Sequence, residues 1–149
     1  MMCIKKKGYS NIMVQIGFKC NKGLVREINE DACFVIPGQD VYIVADGVGG
    51  NNSGEVASGT AVSEIAEYVN EYDLSQCRGA EEIFEYLSET INIANEKIYR
   101  MGIENAANRG MATTLVMAYI RSMTAYIANA GDSRAYLFRD GKLLKITTD

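Results

Sequence analysis

Apolar and polar positions along this chain fall into three regimes: strand-like runs, two helical stripes, then strand-like runs again. "IMVQIGFKC" (12–20) predicts a strand, followed by the turn "NKG" at 21–23. Residues 31–36 and 41–46 are apolar runs on either side of "PGQD", the pattern of a β-hairpin. A loop, "GVGGNNSGE", comes next, where Asn52 and Glu55 resemble a capping box with Asn in place of Ser or Thr. A helix should start there, since Val62, Ile65, Ala66 and Val69 form one apolar stripe. A stronger stripe joins Ala80, Ile83, Phe84, Leu87, Ile91, Ala94 and Ile98, with Glu82, Glu85, Glu89 and Glu96 on the other face. A coiled-coil seam would look similar, but a core-packing helix is the commoner cause. Segments 113–120, 124–131, 133–139 and 142–147 then return to strand patterning, the last two joined by a tight turn at Asp140-Gly141. Strands, two helices and strands again predict an α+β layered fold rather than alternating βαβ units. No internal repeat or low-complexity tract interrupts the order.

The hairpin poses a chemical problem. A four-residue loop at Pro37–Asp40 sets Ile36 against Val41, and the same register sets Asp31 against Asp46. Like charges directly opposite each other destabilise a sheet. A divalent cation, a protonated carboxylate or a shifted register would each relieve the repulsion. Glu30 adds a third acid, and Gly47, Gly49 and Gly50 follow Asp46, where glycine lets backbone groups approach a ligand. Oxygen donors of this kind suit magnesium or manganese, and such a metal lowers the pKa of a bound water. The plainer alternative is that both aspartates are solvated strand-end or turn-capping residues.

Composition narrows the chemistry. A length of 149 residues points to one domain, and 48% apolar with 23% charged residues is ordinary for a globular protein. A net charge of -4 and a pI near 4.9 argue against a nucleic-acid backbone as main partner. After Lys5–Lys7 the chain is too polar for a signal peptide, and no run has membrane-spanning length, so the chain reads as cytoplasmic and not membrane-bound. Cys3, Cys20, Cys33 and Cys77 show no C-x-x-C spacing and read as free thiols. There is no histidine, which removes Ser-His-Asp and Cys-His nucleophiles from this chain.

Four ordered blocks then carry a resemblance: "GLVREINED", "VADGVGGNNSGEVAS", "GMATTLVMAYI" and "NAGDSRAYLFRDGKLLKITTD". Together they span residues 23–149 and resemble the PPM family, the metal-dependent type-2C protein Ser/Thr phosphatases, in its bacterial form. The resemblance implies a layered α-β-β-α sandwich and hydrolysis of phosphoserine or phosphothreonine in proteins by a water activated between two Mg2+ or Mn2+ ions. By the same resemblance Asp46 bridges the two metals, Gly47 offers its carbonyl to one, and Glu30 and Asp31 hold metal-bound waters. Arg26 grips the substrate phosphate with its planar fork, and Asp132 serves a third, weaker metal. Alone, Arg26 would read as a surface residue and Asp132 as a turn residue; Thr113 and Thr114 read as β-branched strand residues with no chemistry.

Two departures stand out. The family's "DGMGGH" loop is "DGVGGN" here, with Val48 and Asn51. Animal members place a histidine, the proposed general acid, near the position of Val48; without it, water is left to protonate the leaving group. The chain also ends at "TTD", where the family continues with two more metal-binding aspartates and the rest of the sandwich. The expectation is therefore residues 1–149 as the N-terminal part of one PPM-type domain, with an incomplete metal site. The implied partners are a phosphoprotein substrate, a Ser/Thr protein kinase pathway, and a second copy pairing through open sheet edges. The alternative is an inactive phosphatase-like binding module.

Overall fold

The computed structural model describes residues 2–7, 13–50 and 53–149, with residues 2–7 and Met13 described as backbone only. The strands are β1 (Met2–Lys7), β2 (Met13–Phe18), β3 (Asp31–Ile36), β4 (Val41–Val48), β5 (Ala112–Thr113), β6 (Leu115–Arg121), β7 (Thr124–Ala130), β8 (Tyr136–Arg139) and β9 (Lys142–Lys145). Two helices, α1 (Ser53–Glu71) and α2 (Ala80–Glu104), lie between β4 and β5. The sheet runs β3-β4-β6-β7, antiparallel throughout, with β5 also pairing to the end of β4. β1–β2 and β8–β9 are separate antiparallel hairpins. The layered arrangement is thus one helical layer on one sheet, with the remaining strands in two hairpins.

Strand alternation decides which residues face the helices. Val41, Ile43 and Ala45 of β4 pack with Leu115, Met117 and Tyr119 of β6 beneath Ala57, Ala61, Ile65 and Val69 of α1. From α2, Ile83, Leu87, Ala94 and Ile98 close the same core. The expected α2 stripe is therefore a core face rather than a coiled-coil seam, although Phe84 is half exposed and meets Tyr126 edge-on. On the opposite sheet face Tyr42, Ala118 and Ile120 form a smaller cluster with Val14, Val35 and Ile127. Asp46 lies on this second face, in phase with Tyr42.

Several boundaries differ from the sequence pattern. β1 was not expected, because the run Lys5–Lys7 carries no apolar alternation; its partner β2 supplies the pairing. β2 ends at Phe18 rather than residue 20, and residue 12 lies outside the described residues. The run expected over 113–120 breaks at Thr114, between β5 and β6. The strand expected from residue 133 begins only at Tyr136, because the backbone N–H of Ala135 turns to the Thr147 hydroxyl. The cap foreseen at Asn52, and Asn51 beside it, lie outside the described residues. Both Asp140 (φ 52°) and Gly141 (φ 74°) adopt the left-handed turn conformation predicted for them. Among the described residues no helix is long and apolar enough to cross a membrane.

Candidate metal and phosphate site

The β3–β4 hairpin has the unshifted register: Ile36 faces Val41 and Asp31 faces Asp46. A slipped strand is therefore not what relieves the carboxylate repulsion. The Asp46 carboxyl, though exposed, is instead held above its ordinary pKa, first by desolvation, then by the negative charge of Asp31 and a hydrogen bond with it. Arg26 pulls in the other direction, and Asp132 adds to the rise. Three charged groups thus act on Asp46, near the end of β4: Arg26 before β3, Asp31 at its start, and Asp132 after β7.

Backbone contacts fix the end of β4. The Gly47 N–H donates to the Glu30 carbonyl at 3.0 Å, and the Ser58 hydroxyl of α1 donates to the same oxygen at 2.6 Å. A Cβ on Gly47 would overlap the Gly54 carbonyl and stand 2.7 Å from the Glu30 carbonyl, so only glycine fits. A Cβ on Gly54 would likewise run into the Glu30 carboxylate. The first turn of α1, the end of β4 and the residue before β3 are therefore packed backbone against backbone.

Thr114 holds the other side. Its N–H donates to the Asp46 carbonyl at 2.9 Å, and its hydroxyl accepts from the Asp46 N–H at 3.2 Å. The same hydroxyl lies 2.6 Å from the Ser133 hydroxyl, beside Asp132. Thr114, expected to carry no chemistry, has a structural part: it ties both backbone groups of Asp46 to the turn that carries Asp132. A hydroxyl inside a strand-like run gave no warning, because its partners lie far away in sequence.

Arg26 is exposed, and its Nη1 lies 3.4 Å from Glu30 Oε2, one helical turn's spacing along an irregular segment. An exposed pair at that distance is weak, so a phosphate oxygen can share or replace the Glu30 carboxylate.

The donor chemistry here is hard oxygen: two facing carboxylates, with Glu30 and backbone carbonyls nearby. This suits a hydrated magnesium- or manganese-like ion, which leaves several positions to water. Among the described residues no three acidic or thiol side chains come together closely enough to enclose an ion.

A family model described as protein phosphatase 2C matches residues 25–149. The serine/threonine phosphatase stp of Listeria monocytogenes serotype 4b (strain F2365) is 37% identical over 135 residues, which cover 89% of this chain and 53% of that protein. The crystal structure of the serine/threonine phosphatase Stp1 from Staphylococcus aureus superimposes with a TM-score of 0.79 at 31% identity, covering 88% of this chain and 52% of that one. The catalytic domain of the phosphatase PstP, solved in complex with two manganese ions, gives a TM-score of 0.75 at 28% identity, over 100% of this chain and 55% of that one. The chain spans about half the length of the curated Listeria relatives it matches.

Proposed function

The chain belongs to the protein phosphatase 2C family, and on that premise we propose that it carries the phosphate-gripping and half of the metal-holding machinery of a protein Ser/Thr phosphatase. The proposal extends to residues 1–149 as the N-terminal part of a single phosphatase domain. The observation that carries it is the facing Asp31–Asp46 pair, whose Asp46 carboxyl is raised by desolvation and then by Asp31, near an exposed guanidinium held by the weak Glu30 contact. A cation is the natural relief for such a pair, and a phosphate is the natural ligand for such an arginine.

In this reading Asp46 and Asp31 hold the ions, Gly47 lends its carbonyl, and Glu30 orients water while offering its other oxygen to Arg26. Arg26 binds and orients the phosphate of a phosphoserine or phosphothreonine side chain. Asp132 adds negative charge at the rim, where a weaker ion would bind. When bound, magnesium or manganese supplies a more acidic water and offsets charge on the phosphate oxygens. The substrate is a phosphoprotein in the cytoplasm, the opposing enzyme is a Ser/Thr kinase, and a second copy of the chain meets the first through open sheet edges.

The direct test is hydrolysis of a small aryl phosphate by this chain with manganese, against Asp46→Asn. Manganese-dependent turnover that disappears in the variant would mean that the chain by itself assembles a working site. Absence of turnover in the wild-type chain, with the fold intact by circular dichroism, would reduce its role to phosphoprotein binding.

A further inference from the structure

Cys20 and Cys33 stand at the two ends of the segment that carries Arg26, Glu30 and Asp31. The Cys20 thiol, just beyond β2, donates to the Asp31 carbonyl at 3.4 Å and accepts from the Asn29 amide at 2.8 Å. Cys33 lies two residues past Asp31 on the same face of β3. After burial, the neighbouring Cys20 is what most pushes the Cys33 thiol up, and both cysteines line one shallow cleft with Asp31 and Val44. Cys20 is exposed and Cys33 is half-buried behind it. Cys77 is placed elsewhere, its thiol directed to the Glu82 carbonyl at the start of α2.

We propose that Cys20 and Cys33 are an oxidation site, forming a reversible disulfide that closes residues 20–33 into a ring around the phosphate-binding arginine and the first two site acids. The oxidant is a peroxide. The exposed Cys20 sulfur, as thiolate, attacks one peroxide oxygen; the O–O bond breaks, and the departing oxygen leaves as water after taking a proton. Cys20 is then a sulfenic acid. The Cys33 sulfur attacks the Cys20 sulfur, the S–S bond forms, the S–O bond breaks, and the hydroxyl leaves as a second water with the Cys33 proton. Two thiols lose two electrons in total, and one peroxide gains them.

The structural effect follows from where the ring lies. Leu24 and Val25 are fully exposed and Arg26 projects into solvent, so the segment between the cysteines has few packing contacts of its own. A covalent closure limits how far Arg26 can swing from Asp46 in the folded chain, and it also removes freedom from the unfolded chain.

The test uses the whole chain carrying Cys77→Ser, so that Cys33 is the one cysteine in its tryptic peptide. After treatment with hydrogen peroxide and trypsin without reductant, peptide 20–22 is expected to be linked to peptide 27–78, and reductant should release it. Cys33→Ser and Cys33→Ala should each abolish the linked species while circular dichroism reports an unchanged fold. The oxidised chain should melt about 5 °C or more above the reduced one. Linkage of Cys20 to Cys3 instead, or full alkylation of both thiols after peroxide, overturns the assignment. Equal melting of linked and reduced chains overturns the claim that the ring constrains the loop. No readout depends on phosphatase activity, so the test stands or fails apart from the proposed function.

Discussion

In the proposed reading Asp46 is the residue on which most of the site depends. Because its carboxyl is raised in the folded state, the fold binds that proton more tightly than the unfolded chain does. Its contribution to stability is therefore full below the ordinary carboxylate pKa and is lost as pH rises through the raised value. In metal-free protein, the melting temperature of the wild type should fall relative to Asp46→Asn as pH rises above the ordinary carboxylate pKa; parallel curves would contradict a raised Asp46 carboxyl. At neutral pH without metal the variant should melt higher, whereas added manganese should stabilise the wild type alone. Gly47→Ala tests the packing beneath the acid. Its Cβ would meet the Gly54 and Glu30 backbones, so it should cost about 1–3 kcal/mol in chemical denaturation.

At the scale of elements, β4 is the spine: one face feeds the helix-covered core and the other presents Asp46. Leu87 on α2 is fully buried and Phe84 is half exposed, although both belong to the same apolar stripe of the sequence. Leu87→Ala should cost about 2–5 kcal/mol in urea denaturation, and Phe84→Ala distinctly less. The hairpin, both helices and the Asp140-Gly141 turn were legible because each is encoded locally, by alternation, by helical spacing or by residues that tolerate positive φ. β1 was not legible, since its strand identity comes from pairing with β2. Nor was the break at Thr114, which depends on hydrogen bonds to Asp46 and Ser133 across the fold. The Asp31–Asp46 juxtaposition was readable from a single loop length, whereas Asp132 joins it only through the path of the sheet.

On the scale of the whole molecule, apolar surface is left open where the sheet and the hairpins end. Phe138, Leu143, Leu144 and Ile146 are exposed on or beside β8–β9, a patch of the sort that promotes association. Sedimentation velocity should show this chain self-associating with rising concentration, and Leu144→Lys should shift it toward monomer. The close backbone contact between Gly47 and Gly54 has a different kind of consequence, for inheritance. Those glycines are demanded by steric fit and not by any reaction. A descendant that lost the acids would still need Gly47 and Gly54 in order to fold. The acids carry no such obligation, and the metal-free fold is expected to gain from the loss of Asp46's charge. In this lineage a retired enzyme would be recognised by the carboxylates it has lost, with its glycines still in place.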